Sequence, residues 1–268
     1  MPSINGIRIA INDIINHNYT NIGGLTMMDF QKFKYTRGFV VSDRNLDNTF
    51  LTNWEKHKNK YFYFYFDKRA DWEYIDIDNN IWGCVIGNCL DPFNSTDNLK
   101  VILDRAITFF KTSNDLLFNY IETLVGRYVF ILGNKDRTII FTDATGMKSL
   151  FFHSEQKLLS SHAKLLFDIT NENTSSLVDL NWLSKYSNYH LPGHFTPYNN
   201  IYYLIPNHLL HWPSMNVERY FPREPIFAEN LDDKLDEIRE HTFKQLEILS
   251  KNHKFIFSLS AGIDSRTS

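Results

Sequence analysis

A short run of small and polar residues near the end of the sequence has the types and spacing to bind phosphate. Four of them follow the apolar run 255–259: Ser260, Gly262, Asp264 and Ser265. Hydroxyl groups and closely approaching backbone N–H groups suit phosphate oxygens, and a helix that begins after such a turn points its positive end at the anion. A carboxylate is not attracted to phosphate, so Asp264 is predicted to hold a Mg²⁺ that bridges to it. The run is therefore predicted to be a nucleotide-phosphate loop.

A turn of serine and glycine between a strand and a helix is also common without any ligand. The preceding residues favour the phosphate loop, because 253–259 is typical of a buried parallel strand and 230–251 of an amphipathic helix with an acidic first half. The apolar residues of that helix fall near one face: Leu231, Leu235, Ile238, Phe243, Leu246 and Leu249. Helix, buried strand and small-residue turn, in this order, predict the opening of an α/β nucleotide-binding domain.

The elements before this helix read as antiparallel sheet and helix. Apolar runs around 125–132, 138–143 and 148–153, separated by turn residues, predict an antiparallel meander. Asp143 and Gly146 are predicted to fix the turn between two of these strands and to have no catalytic role.

Earlier strands are predicted at 61–66, 72–77 and 81–87, and helices at about 97–111 and 115–123. The aromatic residues of the first of these strands are predicted to form sheet core and not a platform on which a nucleotide stacks.

Composition narrows the class of protein. At 268 residues the sequence can hold one large or two ordinary domains, and its 43% hydrophobic residues allow a sizeable core. A net charge of −3 gives no reason to expect nucleic acid or an anionic membrane surface as a partner. Cys84 and Cys89 lie without zinc-ligand spacing, which favours buried thiols in a reducing compartment. Neither a signal peptide nor a run of about 18 apolar residues occurs, so we expect a cytosolic protein without a membrane span.

The predicted loop resembles that of a known family. It is similar to the S-G-G-x-D-S pyrophosphatase loop (PP-loop) of the N-type ATP pyrophosphatases, and within them of the asparagine synthetase group. Ala261 stands at the first glycine of that pattern, where alanine would cost about 1–2 kcal/mol if the position needs a positive φ.

A second resemblance lies in the middle of the sequence and selects the same group. The segments 124–131, 138–152 and 159–166 are similar to the succession L-x-G-x-F-A-F, R-D-x-x-G-x-K-P-L-Y-Y and A-S-E-x-K-A-L in the amidotransferase half of asparagine synthetases. The best matches are Asp143, Gly146, Lys148 and Leu150, with Thr142 where arginine is usual. The resemblance covers about residues 80–268, with firm motifs in two places.

The resemblance implies an α+β fold with two parts. Residues 1–222 are expected to form a glutamine-amidotransferase-like domain, an Ntn-hydrolase-like antiparallel β-sandwich flanked by helices. Residues 228–268 are expected to begin a PP-loop ATP-binding synthetase domain. The boundary is placed near 222–225, where two prolines interrupt regular pairing.

The activity implied by the resemblance is an ATP-dependent ligase that forms an amide. In the family, a substrate carboxylate attacks the α-phosphorus of ATP, and ammonia or an amine then captures the acyl-adenylate. The implied cofactors are ATP and Mg²⁺, with Asp264 as the metal ligand. The residues implied to contact the nucleotide are Leu259, Ser260, Ala261, Gly262, Asp264 and Ser265.

No catalytic residue is assigned to the amidotransferase-like part, and glutaminase activity is not expected. Glutamine-hydrolysing members use an N-terminal cysteine whose own α-amine acts as base. This sequence begins Met1-Pro2-Ser3, and a start at Cys84 would delete the first strands of the domain.

Three hypotheses stay open at this point. The first is the ligase, present here as an N-terminal portion of a longer protein. The second is a non-catalytic amidotransferase-like module for binding or assembly, and the third, least favoured, is a glutamine amidotransferase with an unusual nucleophile. The carboxylate substrate, whether small molecule, peptide or sugar, and the nitrogen donor stay undetermined. A second copy of the chain is among the partners considered.

Overall fold

Two antiparallel sheets of six strands each form the centre of the part of the chain that the structure describes. The computed structural model describes residues 34–77, 80–183, 185, 191–228 and 230–254. The first sheet has the order β10 (Ile201–Tyr203), β8 (Phe151–His153), β9 (Leu158–Ser160), β1 (Phe39–Ser42), β3 (Tyr63–Phe66) and β2 (Glu55–Lys58). The second sheet has the order β12 (Asn216–Arg219), β11 (His208–Trp212), β7 (Thr138–Thr142), β6 (Val125–Asn134), β5 (Ile81–Leu90) and β4 (Trp72–Ile77).

Five α-helices accompany the sheets in the described residues. They are α1 (Leu99–Thr112), α2 (Asn114–Ile121), α3 (Ala163–Thr170), α4 (Leu180–Leu183) and α5 (Leu231–Asn252), and a 3₁₀ turn covers Thr49–Leu51. Helix α1 begins where the Asn98 side chain accepts hydrogen bonds from the N–H groups of Lys100 and Val101, which satisfies two otherwise free donors of its first turn. Its buried residues recur with helical spacing, so one face is apolar: Ile102, Leu103, Ala106, Ile107 and Phe110.

Side chains that alternate along each strand build four layers. Phe39 and Val41 of β1 point between the two sheets, where they meet Cys84 and Ile86 of β5, while Val40 lies on the outer face of its sheet with Leu165 of α3. On the other side of the molecule, α1 and α2 cover the outer face of the second sheet around Val85. The order is helix, sheet, sheet, helix. The predicted α+β sandwich of antiparallel sheets flanked by helices is thus confirmed for the described residues.

The meander prediction was wrong for its third strand. Strands β6 and β7 pair with each other as expected, but β8 lies in the opposite sheet, between β10 and β9. The residues between β7 and β8 are held in a turn around Asp143, and Gly146 takes a φ of 64° there, so the chain is redirected across the sandwich. The strand also begins later than predicted, at Phe151.

Both cysteines are buried free thiols, as predicted. Cys84 lies between the sheets and Cys89 lies under the helices, so the two side chains project from opposite faces of β5. Burial raises the pKa of both thiols far above the usual range, which leaves them protonated and unreactive in the folded protein.

Of the segment predicted to begin a second domain, the described part is chiefly α5. It spans the predicted helix, and its first turn is capped by the Asn230 side chain, which accepts from the N–H of Asp232 at 3.1 Å. No helix in the described ranges combines the length and apolar character needed to cross a lipid bilayer.

Candidate functional site

The residues predicted to bind nucleotide lie outside the described part of the chain. They are Leu259, Ser260, Ala261, Gly262, Asp264 and Ser265. The role of Asp264 as a magnesium ligand therefore stays a prediction. Among the described residues, no group of histidine, cysteine, aspartate or glutamate side chains is arranged to hold a metal ion.

Asp143 holds together the turn that links the two sheets. One carboxylate oxygen accepts from the N–H and hydroxyl of Thr145 and from the N–H of Met147. The other accepts from the N–H of Lys148 at 2.8 Å and from the N–H of Tyr128 at 3.3 Å. The Asp143 carboxylate is buried and its oxygens accept mainly from backbone N–H groups, so it stabilises the turn. This agrees with the role predicted for it from the sequence.

This turn places Lys148 at the beginning of β1, and a group of polar side chains gathers there. The Lys148 ammonium donates to the carbonyl oxygen of Arg37 at 2.9 Å. Arg37 itself takes a φ of 56°, and its N–H donates to Asp67, whose carboxylate also pairs with Arg69 through two hydrogen bonds of 2.9 Å. We call Arg37, Lys148, Ser161 and His162 the β1-entry cluster.

Ser161 and His162 complete this cluster from the end of β9. The N–H of Phe39 donates to Ser161 Oγ at 3.0 Å, and Ser161 Oγ lies 2.8 Å from His162 Nδ1. The Ser161 hydroxyl also donates to the carbonyl oxygen of Phe39 at 3.4 Å, so its hydrogen bond with His162 joins the two side chains without fixing the histidine tautomer.

The charges of the β1-entry cluster are mostly of one sign. Burial, followed by the charge of Arg37, lowers the pKa of Lys148 despite the opposing effect of Asp71. Burial, followed by the charge of Lys148, lowers the pKa of His162. Lys148 forms no ion pair with any carboxylate of the described residues. A lysine without a carboxylate partner beside a neutral histidine can hold an anionic group or move a proton.

We expect the stability of the protein to fall as the pH drops from about 7.5 to 5.5. Burial lowers the pKa of both His57 and His162 from the ordinary 6.5, so the unfolded chain binds more protons than the folded chain below that pH. The stabilisation from neutral histidine is complete above the unfolded pKa and is lost on acidification. Urea unfolding at several pH values measures the effect. The His162→Gln variant should lose less stability on acidification than the wild type. A higher urea midpoint at pH 5.5 than at pH 7.5 would contradict the prediction.

The sequence did not predict the β1-entry cluster. Lys148, Ser161 and His162 lie in segments that carry the family resemblance, but nothing in their spacing indicated that they meet. Arg37 is 111 residues away from Lys148, in a stretch without a legible pattern, and gave no signal at all.

Comparison with known proteins finds a similarity in structure but no match in sequence. The chain matches no family model and no curated sequence. Among solved structures it is similar to glutamine phosphoribosylpyrophosphate amidotransferase from B. subtilis, solved in complex with ADP and GMP, with 12% identity and a TM-score of 0.41. The match covers 72% of this chain and 46% of that one, so this chain spans about half the length of that relative.

Proposed function

We propose that the chain is part of an ATP-dependent, amide-forming ligase of the asparagine synthetase type. The observation that carries the proposal is the order of parts along one sequence. A sandwich with antiparallel sheets is followed by helix α5, then by the apolar run 255–259, and then by small and polar residues in the spacing of a pyrophosphate loop. Each part has another explanation alone, but the family resemblance requires all of them in this order.

The side chains of the loop are suited to the group they are proposed to hold. Ser260 and Ser265 supply hydroxyl donors, Gly262 lets the backbone approach phosphate oxygens, and Asp264 supplies the hard oxygen ligand that Mg²⁺ prefers. Leu259 would lie on the adenosine side. ATP bound there supplies the chemical activation of a carboxylate, and the protein would hold that carboxylate in position.

Titration of the protein with Mg²⁺–ATP, followed by calorimetry, tests the proposal. Binding is expected, and Asp264→Asn should weaken it by roughly tenfold to hundredfold, because a charge-assisted contact is worth about 1.5–3 kcal/mol. Asp236→Asn is the matched control, since that carboxylate is exposed on α5 and pairs only with Arg239 among the described residues. Removal of Mg²⁺ by EDTA should weaken binding to the wild type more than to Asp264→Asn.

Two results would refute this assignment: no measurable affinity of the wild type for Mg²⁺–ATP, or equal affinities of the wild type and Asp264→Asn.

A second candidate function is a non-catalytic binding module. Two observations favour it over a glutaminase: both thiols of this sequence are buried, and Asp143 is fully engaged in a turn. In such a module the β1-entry cluster, in which Lys148 pairs with no carboxylate of the described residues, would be the anion-holding surface. The same titration separates the two candidates, because a module of this kind has no reason to bind Mg²⁺–ATP through Asp264.

A further inference from the structure

Two cations of the β1-entry cluster lie together without a carboxylate partner. The Lys148 ammonium donates to the carbonyl oxygen of Arg37 at 2.9 Å. Burial and then the charge of Arg37 lower the pKa of Lys148, so the two positive charges act on each other. Neither side chain forms an ion pair with a carboxylate of the described residues. Because like charges repel, an anion beside both cations stabilises the pair.

The carboxylates around the cluster do not supply that anion. Asp67 is held by two hydrogen bonds of 2.9 Å from Arg69, and Asp168 accepts from the ammonium of Lys34 at 3.1 Å. Asp71 lies near enough to oppose the lowered pKa of the cluster's lysine, but it is exposed and forms no ion pair in the described part of the chain. The cluster therefore carries an excess of positive charge.

Helix α3 begins at the same place. Its first residue, Ala163, directly follows His162, whose side chain makes no capping hydrogen bond to the first turn. Uncapped N–H groups at a helix N-terminus carry partial positive charge and favour an anion. Burial and then the charge of Lys148 lower the pKa of His162, so the ring is neutral and keeps one N–H donor. These groups add to the preference that the two cations establish.

We infer that the β1-entry cluster binds the phosphate group of a small molecule, held between Arg37 and Lys148 beside the start of α3. The arginine is exposed, and Lys148 and His162 are half-buried, so a ligand from solvent reaches all three side chains. A phosphate monoester carries about −1.5 to −2 charges at pH 7 and compensates both cations, whereas a single carboxylate leaves one of them uncompensated. A guanidinium also matches two phosphate oxygens at once.

This site is separate from the predicted PP-loop. It is built from described residues of the sandwich and uses neither Asp264 nor Mg²⁺. The inference therefore goes beyond the ligase proposal and does not depend on it. It also gives a chemical class to the anion of the second candidate function.

Calorimetric titration of the full chain with inorganic phosphate tests the inference. The titration is made at pH 8 and constant ionic strength, without Mg²⁺ or nucleotide, and saturable binding at roughly millimolar phosphate or below is expected. Arg37→Gln and Lys148→Gln should each weaken binding by at least about tenfold, or about 1.4 kcal/mol. Lys135→Gln is the matched control, because that lysine is exposed in the turn between β6 and β7 and its side chain makes no contact among the described residues.

Two further ligands define the chemical class. Acetate, a single carboxylate, should bind at least about tenfold more weakly than phosphate. Glycerol phosphate separates the two sources of the group, since tighter binding of the ester than of inorganic phosphate assigns the site to a phosphate ester and the reverse order assigns it to free phosphate. Near-ultraviolet circular dichroism checks that each variant is folded, and Arg37→Gln decides the test if Lys148→Gln is not.

Three results would overturn the inference. The wild type could bind neither phosphate nor the ester, or Arg37→Gln could bind phosphate as tightly as Lys135→Gln. Acetate could also bind as tightly as phosphate, which would remove the reason for a doubly charged ligand. Phosphate binding that is lost only in Asp264→Asn would assign the ligand to the PP-loop instead. Since the titration contains no ATP, its failure leaves the proposed function to be judged by its own experiment.

Discussion

Replacement of Asp143 by alanine is expected to lower the free energy of unfolding by roughly 4 kcal/mol or more. The carboxylate is 2% exposed and accepts hydrogen bonds from four backbone N–H groups, those of Tyr128, Thr145, Met147 and Lys148. Each donor that stays buried without a partner costs about 1–3 kcal/mol, and water entering the vacated space would recover part of that cost. Urea unfolding followed by tryptophan fluorescence measures the loss.

Two further variants make this prediction specific. Asp143→Asn keeps one acceptor oxygen but turns an amide NH₂ toward backbone donors, so an intermediate loss is expected. Asp136→Ala changes an exposed carboxylate in the turn between β6 and β7, whose side chain makes no contact in the described residues, and should stay within about 0.5 kcal/mol of the wild type. A urea midpoint for Asp143→Ala equal to that of Asp136→Ala would contradict the structural role of Asp143.

The turn around Asp143 also leads to the feature of the fold that was predicted wrongly from the sequence, the sheet to which β8 belongs. Strand β4 was predicted with its observed bounds and helices α1 and α2 to within two residues, because periodicity and caps are local signals. Whether the strand after a turn returns to its own sheet or crosses to the other is not local. The Tyr203 hydroxyl donates to the carbonyl of Gly146, 57 residues earlier, and contacts of this kind decide the crossing.

The candidate sites were predictable to different degrees. The loop with Asp264 was predicted from residue types and spacing, the elements before it and the family resemblance; it lies outside the described residues, so it stays a prediction. The β1-entry cluster was not identified, because Arg37 and Lys148 meet only after two sheets have stacked. Short-range sequence patterns indicate helices and strands, whereas the β1-entry cluster forms only through tertiary packing.

Replacement of Gly87 by alanine is expected to cost about 4 kcal/mol. Gly87 lies within β5, which pairs with β4 on one side and β6 on the other. Its φ is +104°, and an added Cβ would lie 2.1 Å from the carbonyl oxygen of Arg127 on the neighbouring strand β6. Backbone cannot rotate away as a side chain can, so β5 and β6 would have to separate locally.

Gly193→Ala isolates the origin of that cost. Gly193 also has a positive φ, +60°, but no atom of the described residues lies within 4 Å of its added Cβ. The Gly193→Ala variant should therefore lose only the about 1–2 kcal/mol of unfolding free energy that a left-handed conformation costs a residue with a Cβ. The difference between the two variants, measured by urea unfolding, is the contribution of strand contact at Gly87. Strand β5 has neighbours on both sides and buried residues on both faces, so damage there reaches both cores of the sandwich at once. Equal losses at the two glycines would mean that backbone strain alone, and not strand packing, requires glycine at position 87.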